Sequence, residues 1–121
     1  LESFNNIWEV MDRQLAQMIR LVDDLLDLSR ISNGKIVLQK EPVELTSILH
    51  QAIETNRSIV EAAEQDVDFT VLFSPVYVDA DVVRLAQIFS NLLINASKYT
   101  EKSGKIRLSM QQEGEHVAIS I

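Results

Sequence analysis

Three side chains between Asp81 and Thr100 could bind a phosphate group and a metal ion together. Asn91, Asn95 and Lys98 are spaced by four and three residues, so on an α-helix they project from one face. Each Asn offers a carbonyl oxygen for Mg²⁺ and an amide NH₂ that donates to phosphate oxygens. Lys98 adds a compact positive charge suited to a triphosphate. On spacing alone, a solvated helix face is an equally good interpretation.

The helix that would carry these groups is predicted at residues 81–100. Apolar residues recur there every three or four positions, which predicts one buried face. That face is made of Leu85, Ile88, Phe89, Leu92, Leu93 and Ala96. Arg84 and Gln87 extend the opposite, polar arc toward the start of the helix, and Asp79 or Asp81 can cap its N-terminus.

The surrounding residues predict helices layered on a mostly antiparallel sheet, which is an α+β fold. A helical stripe covers about 44–64. Alternating apolar residues predict short strands at 35–40, 67–73, 76–79, 106–111 and 117–121. Pro42 closes the first of these strands, Ser74 and Pro75 break the second, and the turn at Glu113 and Gly114 joins the last two as a hairpin.

A long amphipathic helix is predicted at the start of the chain. Its apolar residues alternate in steps of four and three, as Phe4, Trp8, Met11, Leu15, Met18, Val22 and Leu25. This stripe is widened on one side by Ile7, Leu21 and Leu28 and on the other by Ile19 and Leu26, which favours a helix bundle, and Gly34 can end the helix. Because each buried large apolar side chain contributes roughly 1.5–3 kcal/mol, we predict self-association through Phe4 to Leu28, as a dimer or as four helices.

The composition limits the classes of function. The 121 residues, 46% of them hydrophobic, are enough for one ordinary core and too few for two full domains. A formal net charge of −7 argues against nucleic acid or an anionic membrane as the main partner, since both require a basic surface. The chain has no cysteine, which fits a reducing compartment, and no apolar run near the ~20 residues that span a bilayer.

The segment DVVRLAQIFSNLLINASKYT closely resembles the N box of the sensor histidine kinases, in the ATPase superfamily that also includes type II topoisomerases and mismatch-repair ATPases. The matching positions are Asp81, Arg84, Leu85, Gln87, Asn91, Leu92, Leu93, Asn95, Ala96, Lys98, Tyr99 and Thr100. LVDDLLDLSRI, at 21–31, is similar to the end of the second helix of the kinase dimerisation hairpin. The resemblance implies Asn95 as the Mg²⁺ ligand, Asn91 and Lys98 as phosphate contacts, and Tyr99 as a lining residue of the ATP pocket.

The resemblance further implies a chain cut from a longer kinase. Residues 1–32 would be the second helix of the dimerisation and phosphotransfer domain, and 35–121 the N-terminal part of an ATP-binding α/β sandwich, ending before the glycine boxes. The parent would bind Mg-ATP in the cytoplasm, free or tethered to a membrane. It would phosphorylate a histidine and pass the phosphoryl group to an aspartate of a response regulator receiver domain.

The chain by itself is expected to bind nucleotide weakly and not to autophosphorylate. His50 lacks the acidic residue that follows the acceptor histidine in the family, and His116 falls in the last strand. Two alternatives remain, another ATPase of the superfamily and a non-catalytic dimerisation scaffold. The bundle helix ahead of the nucleotide segment disfavours the first, and the presence of Asn91, Asn95 and Lys98 disfavours the second.

Overall fold

The computed structural model describes residues 2–70 and 75–121. Within them the elements follow in the order α1 (Glu2–Ser32), β1 (Glu41–Glu44), α2 (Leu45–Thr55), α3 (Arg57–Ala62), β2 (Asp66–Thr70), β3 (Tyr77–Ala80), α4 (Val82–Tyr99), β4 (Lys105–Glu113) and β5 (His116–Ser120). The chain forms two compact units, one ending at Val37 and the other running from Leu38 to Ile121.

The first unit is built on α1, and the predicted helix and its end are both confirmed. Gly34 has a φ of +66°, the left-handed conformation that ends helices. The N–H of Gly34 donates to the carbonyl of Ile31 at 3.1 Å, and that of Lys35 to the carbonyl of Arg30 at 2.9 Å. This pair of bonds is the Schellman motif. The apolar seam residues from Phe4 to Leu28 are exposed in the single chain.

The second unit contains two small sheets. β1 pairs with β3 antiparallel, while β4 lies between β2, which is parallel to it, and β5, which is antiparallel to it. Two of these three pairings are therefore antiparallel, and the α+β class is confirmed. The core joins side chains of β1, α2, α4 and β4, namely Val43, Leu45, Ile48, Leu49, Ala52, Phe89, Leu93, Ile106, Leu108 and Met110.

The strand predicted at 35–40 is wrong, because the strand begins at Glu41 and Pro42 lies inside it. Val43 is buried, whereas Val37 is 84% exposed. Within residues 2–70 and 75–121, β1 pairs with β3 alone, so the missing N–H of Pro42 falls in a two-stranded sheet, where proline is tolerated at an edge. The strand predicted at 67–73 is confirmed through Thr70, and its last three positions lie outside the described residues.

The single helix predicted at 44–64 is also wrong, because Asn56 divides it into α2 and α3. Asn56 is buried, and its amide nitrogen donates to the carbonyl of Ala52 at 2.8 Å and to the hydroxyl of Ser90 at 3.1 Å. An Asn side chain that bonds nearby backbone offers the chain an alternative to continued helix. The bond to Ser90 also ties this break to α4.

The helix predicted at 81–100 is confirmed as α4, and four of the six residues of its predicted buried face lie in the core or pack against it, namely Leu85, Phe89, Leu93 and Ala96. Phe89 and Leu93 are buried, while Ile88 and Leu92 are 52% and 46% exposed, so the prediction was wrong for these two. Ser97 is buried instead. Because the buried side of α4 includes serines that bond to other elements, an apolar pattern alone shifts the expected face away from them.

Asp81, not Asp79, caps the N-terminus of α4. One carboxylate oxygen accepts the N–H of Arg84 at 3.2 Å, and the other accepts the N–H of Gln39 at 3.1 Å. These bonds hold the pKa of Asp81 below its usual value, the bond from Gln39 contributing most. A single carboxylate thus ties the start of the second unit to the first turn of α4.

Two adjacent leucines test the observed rotation of α4. Leu93→Ala should lower the free energy of unfolding of the second unit by about 2–5 kcal/mol, because it empties a space in the core. Leu92→Ala removes the same atoms from the exposed neighbour and should cost less than about 1 kcal/mol. The measurement is urea unfolding followed by amide NMR signals of β4. Equal losses for the two variants would contradict this packing.

Acid should weaken the Asp81 cap. Because the pKa of Asp81 in the folded state lies below its ordinary value of 3.8, ionised Asp81 stabilises the fold above pH 3.8. That contribution is lost as the pH falls through the lowered pKa. Asp81→Asn keeps a capping oxygen but cannot titrate, so its unfolding free energy should depend less on pH below about pH 4. Urea unfolding of both proteins across this pH range checks the prediction. The same dependence of the unfolding free energy on pH in the two proteins would contradict it.

Candidate functional site

The residues predicted to bind phosphate and metal all lie on α4 and are exposed. Asn91, Asn95 and Lys98 keep the spacing of one helical face. Within the described residues, the side-chain amides of the two asparagines form no hydrogen bond to the protein. Lys98 Nζ lies 5.7 Å from the ring centroid of Tyr99, which is 80% exposed. These groups are therefore available to a ligand.

The two polar residues nearer the start of the helix are engaged with each other. Arg84 Nη1 donates to Gln87 Oε1 at 3.2 Å, and both side chains are half-buried. The polar arc divides into a bonded pair in the first turns and an exposed group in the last turns.

Two serines hold α4 from behind, and each directly precedes a site residue. Ser90, next to Asn91, accepts the bond from Asn56 that was described above. Ser97, next to Lys98, is buried and donates through its hydroxyl to Gln65 Oε1 at 2.6 Å. The positions of Asn91 and Lys98 along the helix are therefore set by neutral polar contacts on the opposite side.

Gln65 closes the end of the helix. It is buried, and its amide nitrogen donates to the carbonyls of Ser97 and Thr100, both at 3.0 Å, and to that of Glu101 at 3.3 Å. The last carbonyls of a helix have no donor within the helix and need an outside partner. Neither Gln65 nor Asn56 was identified from the sequence; two uncharged polar residues within or beside an apolar stripe were the only available signal.

The turn after α4 is closely packed. The N–H of Ser103 donates to the carbonyl of Ala63, and that of Asp66 to the carbonyl of Gly104, each at 3.1 Å. A Cβ atom on Gly104 would lie 2.5 Å from Thr100 Cγ2 and 2.8 Å from the carbonyl oxygen of Glu101, so glycine is required there. This turn holds the end of α4 against the start of β2.

Apolar side chains flank the exposed amides. Ile88 and Leu92 are exposed on α4 between the polar arc and the core, and Tyr99 extends this strip at the helix end. At the start of the helix, an open cavity of about 220 Å³ is lined in part by Leu38, Leu85 and Ile88. A surface that combines amides, an ammonium group and apolar side chains suits a ligand with both a phosphate chain and a flat apolar part.

Acidic and histidine residues do not form a metal site in the described part of the chain. A magnesium ion at Asn95 would therefore take one amide oxygen from the protein and further oxygens from phosphates or water, as Mg²⁺ commonly does.

His50 is exposed and packs edge-on against Phe69, with ring centroids 4.9 Å apart. His116 is exposed at the start of β5, opposite Glu113. None of the described helices is both long and apolar enough to cross a membrane.

Several curated proteins with similar sequences are named as histidine kinases. The chain is 34% identical over 107 residues to the circadian input-output histidine kinase CikA of Synechococcus elongatus, covering 86% of the chain and 14% of CikA. It is 31% identical over 110 residues to the signal transduction histidine-protein kinase BaeS of Escherichia coli, covering 91% of the chain and 23% of BaeS. The chain thus spans a small part of these relatives. No protein-family model matches it.

Solved structures share the fold. The histidine kinase AdeS of Acinetobacter baumannii superposes with a TM-score of 0.81 at 21% identity, over 93% of this chain and 55% of AdeS. The histidine kinase ThkA, solved in complex with the response regulator protein TrrA, gives 0.74 at 22% identity, over 91% of this chain and 32% of the ThkA chain. Full-length ShkA, solved in complex with AMPPNP, gives 0.71 at 28% identity, over 81% of this chain and 21% of ShkA.

The alignments to CikA and BaeS and the superposition on AdeS cover 86%, 91% and 93% of the chain, so each extends over residues of both units. Sequence similarity and fold agree with the N-box resemblance of 81–100. The chain belongs to the sensor histidine kinase family.

Proposed function

We propose that the exposed face of α4 binds the phosphate chain of Mg-ATP in a protein histidine kinase. The observation that supports this most is the outward projection of Asn91, Asn95 and Lys98 from a helix whose other side is buried. In this proposal Asn95 supplies an oxygen to Mg²⁺, and Asn91 and Lys98 contact the phosphates. Tyr99 lies beside the nucleotide. The complex of ShkA with the ATP analogue AMPPNP supports this choice of ligand.

The chemistry required of these residues is positioning and neutralisation of charge. ATP supplies the γ-phosphoryl group, and phosphoryl transfer depends chiefly on the placement of that group and on stabilisation of its negative charge. An amide donates to phosphate without adding a repelling negative charge, which a carboxylate would do. Lys98 is exposed and brings a compact positive charge within reach of a phosphate group.

The whole protein would act as a relay. Residues 1–32 would belong to the dimerisation and phosphotransfer domain, and 35–121 to the N-terminal part of the ATP-binding domain. The phosphoryl group would pass to a histidine outside this chain and then to an aspartate of a response regulator, and the ThkA complex with TrrA supports that partner. Since ATP is a cytoplasmic substrate, the segment would work in the cytoplasm. The chain alone would not autophosphorylate.

A paramagnetic metal tests the nucleotide site directly. Because the contacts come from one exposed helix face, the affinity of this chain should be weak, in about the millimolar range. Titration of the ¹⁵N-labelled chain with ATP and Mn²⁺ in place of Mg²⁺ should broaden the side-chain amide signals of Asn91 and Asn95 first. Asn95→Ala should reduce the broadening at Asn91 and at the Lys98 backbone amide.

Asn6→Ala is the matched control, since Asn6 is an exposed amide on α1. It should leave the broadening unchanged, and Mn²⁺ without ATP should not reproduce the pattern. Broadening that is uniform over the chain, or confined to its acidic residues, would contradict a site on α4. Tight micromolar binding by calorimetry would contradict the weak affinity expected of this segment alone.

The self-association predicted for the first unit is proposed as the dimerisation contact of the kinase. Its seam from Phe4 to Leu28 stays exposed along the whole of α1, including the aromatic pair Phe4 and Trp8, whose ring centroids are 6.2 Å apart. An apolar stripe of this width is stable in water only when another helix covers it. The seam residues of a second copy provide such a surface.

A charge placed in the seam should separate the copies. Leu15→Asp should convert the associated chain to a monomer, because it buries a carboxylate in an apolar interface. Gln17→Asp adds the same charge on the polar side of α1, away from the seam, and should leave the association intact. Light scattering gives the mass, and Trp8 fluorescence should shift to longer wavelength on dissociation. A monomeric unmodified chain at high concentration would disprove this contact.

A further inference from the structure

We propose that Gln65 is a positioning residue for the phosphate site, because it fixes the last turn of α4 and with it Lys98 and Tyr99. This role rests on the proposed nucleotide site. It assigns a specific task to a buried side chain that belongs to neither the polar arc nor the apolar core, and it separates the site into two parts with different supports.

The last turn of a helix is the part that most readily opens. Its carbonyl groups lack donors from the helix, and amides near a helix end commonly exchange through local fraying. Lys98 and Tyr99 lie in that turn, whereas Asn95 lies one turn earlier and Asn91 two turns earlier. Without an outside donor, Lys98 would therefore be the least well held of the proposed phosphate contacts.

Gln65 provides that donor from a distant part of the chain. Its NH₂ group is shared among the carbonyls of Ser97, Thr100 and Glu101 at 3.0–3.3 Å, so it spans the last turn of the helix and the first two residues beyond it. Its carbonyl oxygen accepts the hydroxyl of Ser97 at 2.6 Å. One buried amide thus holds both the backbone and a side chain of this turn.

The backbone around Gln65 is itself held by hydrogen bonds. The N–H of Gln65 donates to the carbonyl of Val60 at 3.1 Å, and Glu64 before it has a φ of +54°. The bonds that follow, from Ser103 to Ala63 and from Asp66 to Gly104, lie on either side of it. These backbone bonds fix the position of Gln65, so its side chain can hold the last turn of α4 in one place.

A purely structural role predicts a different result from a positioning role. If Gln65 only satisfied core polar groups, its loss would destabilise the whole second unit evenly. If it positions the last turn, its loss should loosen 97–100 while Asn91 remains held, because Asn56 bonds to Ser90 independently of it. The response to nucleotide should likewise weaken at Lys98 and Tyr99 and persist at Asn91 and Asn95.

Three variants separate these roles. Gln65→Leu removes the donor and the acceptor while keeping the size of the side chain. Gln65→Glu replaces the donor with a carboxylate that faces three carbonyl oxygens when ionised, yet a protonated carboxylic acid can donate to one of them. Gln51→Leu makes the same change as the first variant at an exposed position of α2 and is the matched control.

Hydrogen exchange of the ¹⁵N-labelled chain, without nucleotide, measures how firmly Gln65 holds the last turn of α4. In Gln65→Leu the amides of 97–100 should exchange roughly ten-fold faster or more, and those of 91–95 should change much less. In Gln65→Glu the acceleration should be present at about pH 7.5 and fall toward about pH 5.5, after correction for the pH dependence in the unmodified chain. Equal acceleration over all of α4, or no pH-dependent recovery, would overturn the positioning role.

Titration with Mn²⁺ and ATP then tests whether the contacts of Gln65 affect the proposed nucleotide site. In Gln65→Leu, the broadening at Lys98 and Tyr99 should weaken while that at Asn91 and Asn95 persists, and Gln51→Leu should match the unmodified chain. Full retention at Lys98 would overturn the inference and leave the proposed function standing. Absence of broadening at all of these positions in the unmodified chain would overturn the proposed function, and the positioning role with it.

Discussion

Burial of Phe89 and Leu93 in the core of the second unit fixes the rotation of α4 about its own axis. Because these side chains occupy one side of the helix, the asparagines must face away from it. Turning the helix to bury an amide without a partner would cost about 1–3 kcal/mol, and bringing Leu93 into water would cost about 1.5–3 kcal/mol more. The exposed polar face is therefore a consequence of the packing behind it.

Apolar packing alone leaves the position of the helix along its axis loosely determined, since the hydrophobic effect has no direction. Hydrogen bonds supply that direction. Asp81 holds the first turn, Ser90 is bonded to Asn56 near the middle, and Ser97 is bonded to Gln65 near the end. Two of these contacts stand directly before site residues, so the chain places its candidate ligands by neutral bonds on the hidden side of the same helix.

Elements whose stability depends on their own periodicity could be predicted from the sequence. The long α1, the end of that helix at Gly34, α4 itself and the hairpin of β4 and β5 all follow from local spacing and turn residues. The errors arise where distant residues intervene. Asn56 ends α2 by bonding Ser90, and Ile88 and Leu92 are exposed because serines occupy part of the buried side. The parallel pairing of β2 with β4 also depends on a crossover that no local pattern specifies.

The candidate site divides along the same line. Asn91, Asn95 and Lys98 could be identified because amide and ammonium groups at helical spacing are visible in a short segment. Gln65 could not, because its partners on α4 and in the following turn lie 32 to 36 residues away in the chain. A residue that binds is recognised by its type, whereas a residue that positions is recognised only by its contacts.

The two units differ in how much of their apolar surface they bury. The second unit buries a core that includes Phe89 and Leu93 of α4. The first exposes its whole apolar seam, which is the surface that the proposed self-association would cover. Only a few residues separate Gly34, which ends α1, from Gln39, whose N–H is bound by Asp81. Because the same carboxylate caps α4, Gln39 and the first turn of the helix that carries the candidate site are bonded to one side chain.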